Sequence, residues 1–477
     1  MIERKKTILS LVFLTALVVL ISGCGCKQKN VQQYSLALEI WGPLDSRDIL
    51  DSTIENYKSL NPNIASIVYK KISPDTYEKE LNDALASGQG PDIFMINNRS
   101  LNSYFNKIVP APSDQYVLNE QKFRNNFVDT VIFDFLEKEK IYAVPLSVDS
   151  LGLYYNKALF NQAGISSPPT NWNEFIEDVR KLRKINDFNE IIQAGAAIGT
   201  AYNINRSTDI LNLLMLQSNT EMIDKNGRIN FDSSVSSISG NRVSPGEEAL
   251  LFYTQFAKSG SLNYTWNPTL HYSLDAFSEG TLAMMFNYSW HIKTILDKAP
   301  KLNFAIAPIP QFENGNKVNY ANYWGYTVAK NKTPQSQNYG NSPAVTISND
   351  ARIAESWRFL TYLTTKPDGT FVSSKSSGLK VGKQVNINFD PAEDYLIKSG
   401  EPAARRDLIE KQKNDPLIGI FAVDNLIAKS WKQSDPDAIE IIFEETIDQV
   451  NRGQATVSEA LKTAAQRVSL LQEKKLN

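Results

Sequence analysis

Aromatic rings and planar polar groups recur where apolar, strand-like runs of this chain stop. Trp41 and Asp45 follow the run that begins at Leu36, and Asn97 and Asn98 follow Asp92–Ile96. Tyr288 and Trp290 follow Ala283–Phe286, and Tyr323 and Trp324 close the segment YANYW after a polar turn. Asp149 lies beside Ser150 in an extended apolar stretch that also holds Pro145 and Leu146, and Trp431 precedes a polar stretch nearer the C-terminus. Ligands of open α/β sheets sit beyond the carboxyl ends of the strands, so these positions are candidates for one shared site. An aromatic face stacks on a flat apolar ring, and a carboxylate or amide engages two hydroxyls at once. That is the chemistry of holding a sugar. Each position also has a plainer use. Trp41 and the other aromatics can be core, Asp45 can cap the helix after it, and Asn97 and Asn98 can serve a turn. Asp149, a carboxylate amid apolar sequence, needs a partner, which a ligand hydroxyl or a backbone N–H can supply.

Bond-breaking chemistry finds little support. The 477 residues contain two cysteines, Cys24 and Cys26, and two histidines, His271 and His291. These give neither a disulfide framework nor metal-ligand spacing, and no metal or other cofactor is expected. There is no G-x-S-x-G nucleophile elbow and no Walker motif, so the chain is not expected to hydrolyse esters or to drive transport with ATP. With 52 acidic residues, chance carboxylate pairs are plentiful and do not argue for a glycosidase. A formal net charge of −2 gives no electrostatic case for nucleic acid.

The elements that must position the candidates follow from periodicity. Leu36–Trp41, Ile64–Ile72 and Asp92–Ile96 read as strands. Leu50, Ile54 and Tyr57 mark a helix between the first two, and Tyr77, Leu81 and Leu85 mark one before the third, opened by Ser73-Pro74. This β-α-β-α-β order predicts a parallel sheet flanked by helices. Asn171 is placed to cap a helix with Glu174 at its third position. Asp209–Leu216 reads as a buried helix, Ile353–Leu360 as another, and Thr456-Val457-Ser458-Glu459 as a capping box opening the last. Asp232–Gly246 and Lys332–Asp350 are polar, turn-rich loops. Tyr142–Asn156 and Asn303–Pro310 are extended, apolar and proline-bearing, and are read as connections between lobes.

The start of the chain is an address. Arg4, Lys5 and Lys6 precede an apolar run from Ile8 to Ile21, which is short for a membrane-spanning helix, and then come Ser22-Gly23-Cys24. Leu20–Cys24 resembles the bacterial lipobox. That resemblance implies removal of residues 1–23 as a lipoprotein signal peptide, a lipid on the Cys24 sulfur, and a polar tether over 24–34.

Several blocks together resemble the family 1 bacterial extracellular solute-binding proteins, the sugar-binding components of ABC importers related to maltose-binding protein. They are ALEIWGPLD (37–45), ALASGQGPDIFMINN (84–98), VPLSVDSLGLYYNKALFNQAGI (144–165), AFSEGTLAMMFNYSW (276–290), LNFAIAPIPQ (302–311) and NYWGYTVAKN (322–331). The resemblance implies an α/β fold of the periplasmic-binding-protein type: two lobes, each a sheet flanked by helices, joined by crossing hinge strands. The N-terminal lobe is expected over 35–146 and 308–365, and the C-terminal lobe over 147–307 and 366–477. The family pattern carries an acidic residue at Asp149 and lines its cleft around Tyr288, Trp290, Tyr323 and Trp324. A glycine-containing turn, Gly195–Asn205, adds Asn203 and Arg206 as weaker candidates. The function implied is capture of a carbohydrate in the cleft, hinge closure, and delivery to ABC permease subunits by a monomer held to the bacterial membrane, outside the cytoplasm, by lipid alone. The alternatives are a surface glycan-binding or sensing module without a permease, and a secreted glycosidase. No basic cluster marks the expected cleft, which argues against a phosphate ligand.

Overall fold

The computed structural model describes residues 36–46, 48–61, 63–114, 116–236, 242–313, 315–334, 336–337, 345–367 and 389–476. The expected signal peptide, Cys24 and the tether lie outside the described residues. No helix among the described residues is long and apolar enough to cross a membrane.

The chain begins β1 (Leu36–Gly42), α1 (Asp51–Leu60), β2 (Ile64–Lys71), α2 (Pro74–Ala86), β3 (Ile93–Asn97), as its periodicity predicts. Both β2 and β3 pair with β1 in parallel. After β4 (Ile108–Val109) and α3 (Asp129–Phe135), the chain crosses to a second sheet. Val144 still bridges to the first sheet, whereas β5 (Gly152–Asn156) belongs to the second. The second lobe continues with α4 (Trp172–Leu182), β6 (Lys184–Ile185), β7 (Ile191–Ala196), α5 (Ser207–Gln217), β8 (Leu282–Asn287), α6 (His291–Lys298) and β9 (Phe304–Ala307). Its sheet order is β9-β5-β8-β7-β6. The return passes through β10 (Asn319–Tyr320) to β11 (Trp324–Ala329), which enters the first sheet antiparallel between β3 and β4. Then come α7 (Asn349–Thr364), α8 (Pro391–Ser399), β12 (Ala428–Lys429), α9 (Pro436–Asn451) and α10 (Val457–Leu476).

Local signals explain several boundaries. The Asn171 side chain accepts from the Glu174 N–H at 2.9 Å and caps α4. At the start of α10, Thr456 Oγ1 accepts from the Glu459 N–H while the Glu459 carboxylate accepts from the Thr456 N–H, a reciprocal capping box. The two polar loops are short antiparallel pairs where described, 235–236 with 242–243 and 336–337 with 345–346.

Two hydrophobic cores form, one per sheet. Their membership departs from the expected division in three places. Val148 packs in the first core and Leu151 in the second, so the outward crossing lies between 148 and 151 rather than at 147. Ile309 and Tyr320 pack in the second core and Ala321 and Tyr323 in the first, so the return crossing is near 320–321 rather than 308. The reason is chemical: Pro308 and Pro310 lack the N–H needed to continue a ladder, so they end edge strand β9, and the segment Asn319–Asn322 makes the crossing, with Tyr320 in one core and Ala321 in the other. Ala392, Tyr395, Leu396, Ala403, Ala404, Leu408 and Ile409 pack in the first core, although 366–477 was assigned to the second lobe. Backbone pairing draws this segment there, because Ser147 bridges to Ala403 and the Val148 N–H donates to the Pro402 carbonyl.

Candidate functional site

Where β3 ends, Asn97 turns the chain and fixes an arginine. Its Oδ1 accepts from the Arg99 backbone N–H at 3.2 Å and from Arg99 Nε at 3.0 Å, and its Nδ2 donates to Asn322 Oδ1 at 2.9 Å. Arg99 is thereby aimed from the first lobe at the second. There its Nη1 lies 3.7 Å from Asp209 Oδ1, in the first turn of α5. Both side chains are almost fully buried. The Gln433 N–H donates to the Arg99 carbonyl at 3.0 Å, so the C-terminal region also closes on this point.

Aromatic groups surround the ion pair. The buried Tyr288 donates its hydroxyl to Asp209 Oδ2 at 3.0 Å, and its ring stacks on Trp290 with centroids 4.4 Å apart and planes 20° apart. Trp290 keeps 39% of its surface exposed, which makes it the one sequence-predicted aromatic with substantial exposed area. The Arg206 guanidinium lies 5.7 Å from the Trp290 ring centre. Burial opposes the charge of Arg99, but Tyr320, Asp209 and Glu440 outweigh it and hold the guanidinium firmly protonated. Burial pushes the Glu440 carboxyl up, and Asp209 adds to the push. Burial, followed by the charge of Arg206, lowers His291 to about 4, so its imidazole is neutral at neutral pH.

Asp149 ties the hinge to this place. Its Oδ2 accepts from the Ser289 N–H at 2.8 Å and from Ser289 Oγ at 2.6 Å, and its Oδ1 from the Ser150 N–H at 2.9 Å. Burial drives its carboxyl well above the usual carboxylate range despite these donors. Asp149 therefore orients the turn that carries Tyr288 and Trp290. The structure thus brings together Asn97, Asp149, Tyr288, Trp290 and Arg206.

Other candidates are engaged by the protein itself. Trp41 is buried in the first core, donates its indole N–H to Glu39 and has the Lys70 ammonium 4.1 Å from its ring centre. Asp45 accepts from Tyr326 at 2.9 Å and from Tyr395 at 2.8 Å. Tyr323 donates to Asp134 at 2.7 Å, and Asn98 donates to the same carboxylate at 3.0 Å. Trp324 is half-buried and edge-on to Tyr77. Trp431 is buried and donates to Asn212 Oδ1 at 2.8 Å, one turn beyond Asp209. Asn203 serves a turn, bonding to the Asn267 and Leu270 carbonyls.

Residues 45–369, more than half of the chain, match the sequence profile of the bacterial extracellular solute-binding proteins. The chain belongs to this family. It is 23% identical over 368 residues to a putative binding protein of Brucella abortus, covering 76% of this chain and 78% of that one. It is 23% identical over 318 residues to the multiple sugar-binding protein of Streptococcus mutans, covering 66% and 71%. Among solved structures it is similar to the cyclic α-maltosyl-1,6-maltose binding protein of Arthrobacter globiformis, with TM-score 0.69, 16% identity and 92% and 99% coverage. It is also similar to an ABC transporter solute-binding protein of Thermotoga lettingae bound with α-D-tagatose, with TM-score 0.61, 20% identity and 92% and 100% coverage. These structures share the two-lobed α/β fold of this solute-binding protein.

Arg99, Asp209, Glu440 and His291 were not among the candidate site residues read from sequence, and Tyr320 entered only as the first residue of the segment YANYW. A signal for two of them was present. Arg99 directly follows the flagged asparagines, and Asp209 is a lone carboxylate in an otherwise apolar helix, which needs a partner as much as Asp149 does. Two guanidiniums, Arg99 and the sequence candidate Arg206, lie beside Asp209 and Trp290, although the sequence shows no basic cluster there.

Proposed function

We propose that this solute-binding protein is the carbohydrate-capturing component of an ABC importer, holding its ligand between the lobes against Trp290. The observation that carries this reading is the half-exposed Trp290 ring, backed by Tyr288 and set beside the interlobe Arg99–Asp209 pair. A stacking platform beside charged, planar hydrogen-bonding groups suits a ring bearing hydroxyls. The sugar-binding names of relatives support the same class. Contacts to both lobes favour the closed form, since only differential affinity shifts the population. The protein acts without catalysis, as a monomer, and a permease receives the sugar.

A thermal-shift panel of mono- and oligosaccharides tests this. A ligand at about a hundred times its dissociation constant adds roughly 2.7 kcal/mol, a rise of a few degrees at this size. The sugar should be recovered unchanged. Its breakdown would establish the glycosidase reading instead, and shifts only with non-sugars would overturn the carbohydrate assignment.

The lipobox reading makes Cys24 the anchor. The Cys24→Ser chain should be released from the membrane fraction or retained uncleaved, without label from a fatty-acid analogue. Unchanged labelling of that variant would refute the assignment.

A further inference from the structure

Arg206 precedes α5 with its backbone in the left-handed region, φ 66°, which a side-chain-bearing residue rarely adopts. Its Nε is buried with no hydrogen-bond partner, and no carboxylate among the described residues lies within ion-pairing distance of its guanidinium. Both ring nitrogens of the neighbouring His291 are likewise buried without a hydrogen-bond partner. A partly buried guanidinium without a counter-charge is costly unless a partner completes it. Of the nearby carboxylates, Asp209 is engaged by Arg99 and Tyr288, and Glu440 acts on Arg206 only from beyond ion-pairing distance. The α5 terminus beside Arg206 adds to the same polarity. No side chain caps it, and Ser207, Thr208 and Asp209 are almost fully buried. A helix N-terminus favours an anion, and the one carboxylate in its first turn, Asp209, is already engaged by Arg99 and Tyr288.

We propose that the ligand is an acidic sugar, whose ring lies on Trp290 and whose oxyanion substituent is held by Arg206 with a hydrogen bond from His291. The inference rests on the carbohydrate reading above and goes beyond it by fixing the charge of the ligand. A uronate carboxylate and an ester phosphate or sulfate share the chemistry that a guanidinium recognises.

Calorimetric titration of the full chain in detergent tests it, using uronate-containing oligosaccharides, hexose phosphates and sulfates, and their neutral counterparts. One acidic class should bind at least roughly ten-fold more tightly than its neutral counterpart. Whichever class does so identifies the oxyanion. Arg206→Gln should remove the preference and Arg206→Lys should keep part of it, with ligand-free melting of each variant reporting intact folding. In the unsubstituted chain, added salt should erode the preference, because the charge is only partly buried. Neutral sugars binding as tightly as acidic ones, or a preference untouched in Arg206→Gln, would overturn the acidic-ligand inference and leave the carbohydrate reading standing. Binding of no sugar, acidic or neutral, would overturn both.

Discussion

Asp209→Ala is expected to cost about 3–5 kcal/mol, because it removes the carboxylate within ion-pairing distance of the buried Arg99 guanidinium. The same change deprives the Tyr288 hydroxyl of its acceptor. Arg99 and Asp209 belong to different lobes, so the molecule has two ways to respond. It can keep the charge buried and lose stability, or part the lobes and rehydrate Arg99. Urea unfolding reads the first, and a rise in radius of gyration by small-angle scattering reads the second. Loss below about 1 kcal/mol with no expansion would show that the pair carries little, as exposed pairs do. The double variant Arg99→Met with Asp209→Ala should recover much of the loss, since removing both charges is far cheaper than stranding one.

The second large effect is on pH dependence. Asp134 has no exposed surface, and burial raises its carboxyl to about 6 although Ser430, Tyr323 and Asn98 all donate to it. The ordinary value, which applies in the unfolded chain, is 3.8. Between the two, the unfolded chain has released the proton and the native chain still holds it. Stability therefore falls as pH rises through this window, by up to about 3 kcal/mol, and levels off above it. Glu401 and Asp424 are also raised, to about 7 and about 6, so wild-type curves alone do not isolate Asp134. The difference between wild type and Asp134→Asn does. It should slope between about pH 4 and 6 and be flat above. Parallel curves across that range would contradict the assignment.

These two carboxylates also show where sequence reasoning ends. The strands and helices were legible where they announce themselves locally: in the first lobe through apolar runs and the spacing of Leu50, Ile54 and Tyr57, and in the second through the capping residues Asn171 and Thr456. The site was only half legible. Tyr288 and Trp290 follow a strand, and that position alone flags them. Asp209 is a site residue only because Arg99, far away in sequence, is folded onto it, and Asp134 matters because Ser430, Tyr323 and Asn98 converge on it. Trp41 shows the converse. Its strand-end position matched the rule, but Lys70, brought alongside by the parallel pairing of β1 and β2, covers the ring. The crossing point was displaced for a similar reason. Prolines 308 and 310 mark an extended segment, and only the pairing partners show that this segment ends an edge strand instead of bridging the lobes.

The central claim is that the ligand is a sugar seated on Trp290 between the lobes. Calorimetric titration of Trp290→Ala with whichever sugar raises the melting temperature of the wild-type chain tests it most directly. The account predicts an affinity at least roughly ten-fold weaker, about 1.4 kcal/mol, with the ligand-free melting temperature nearly unchanged because this ring is substantially exposed. An affinity equal to that of the wild type would place the sugar elsewhere and contradict the account.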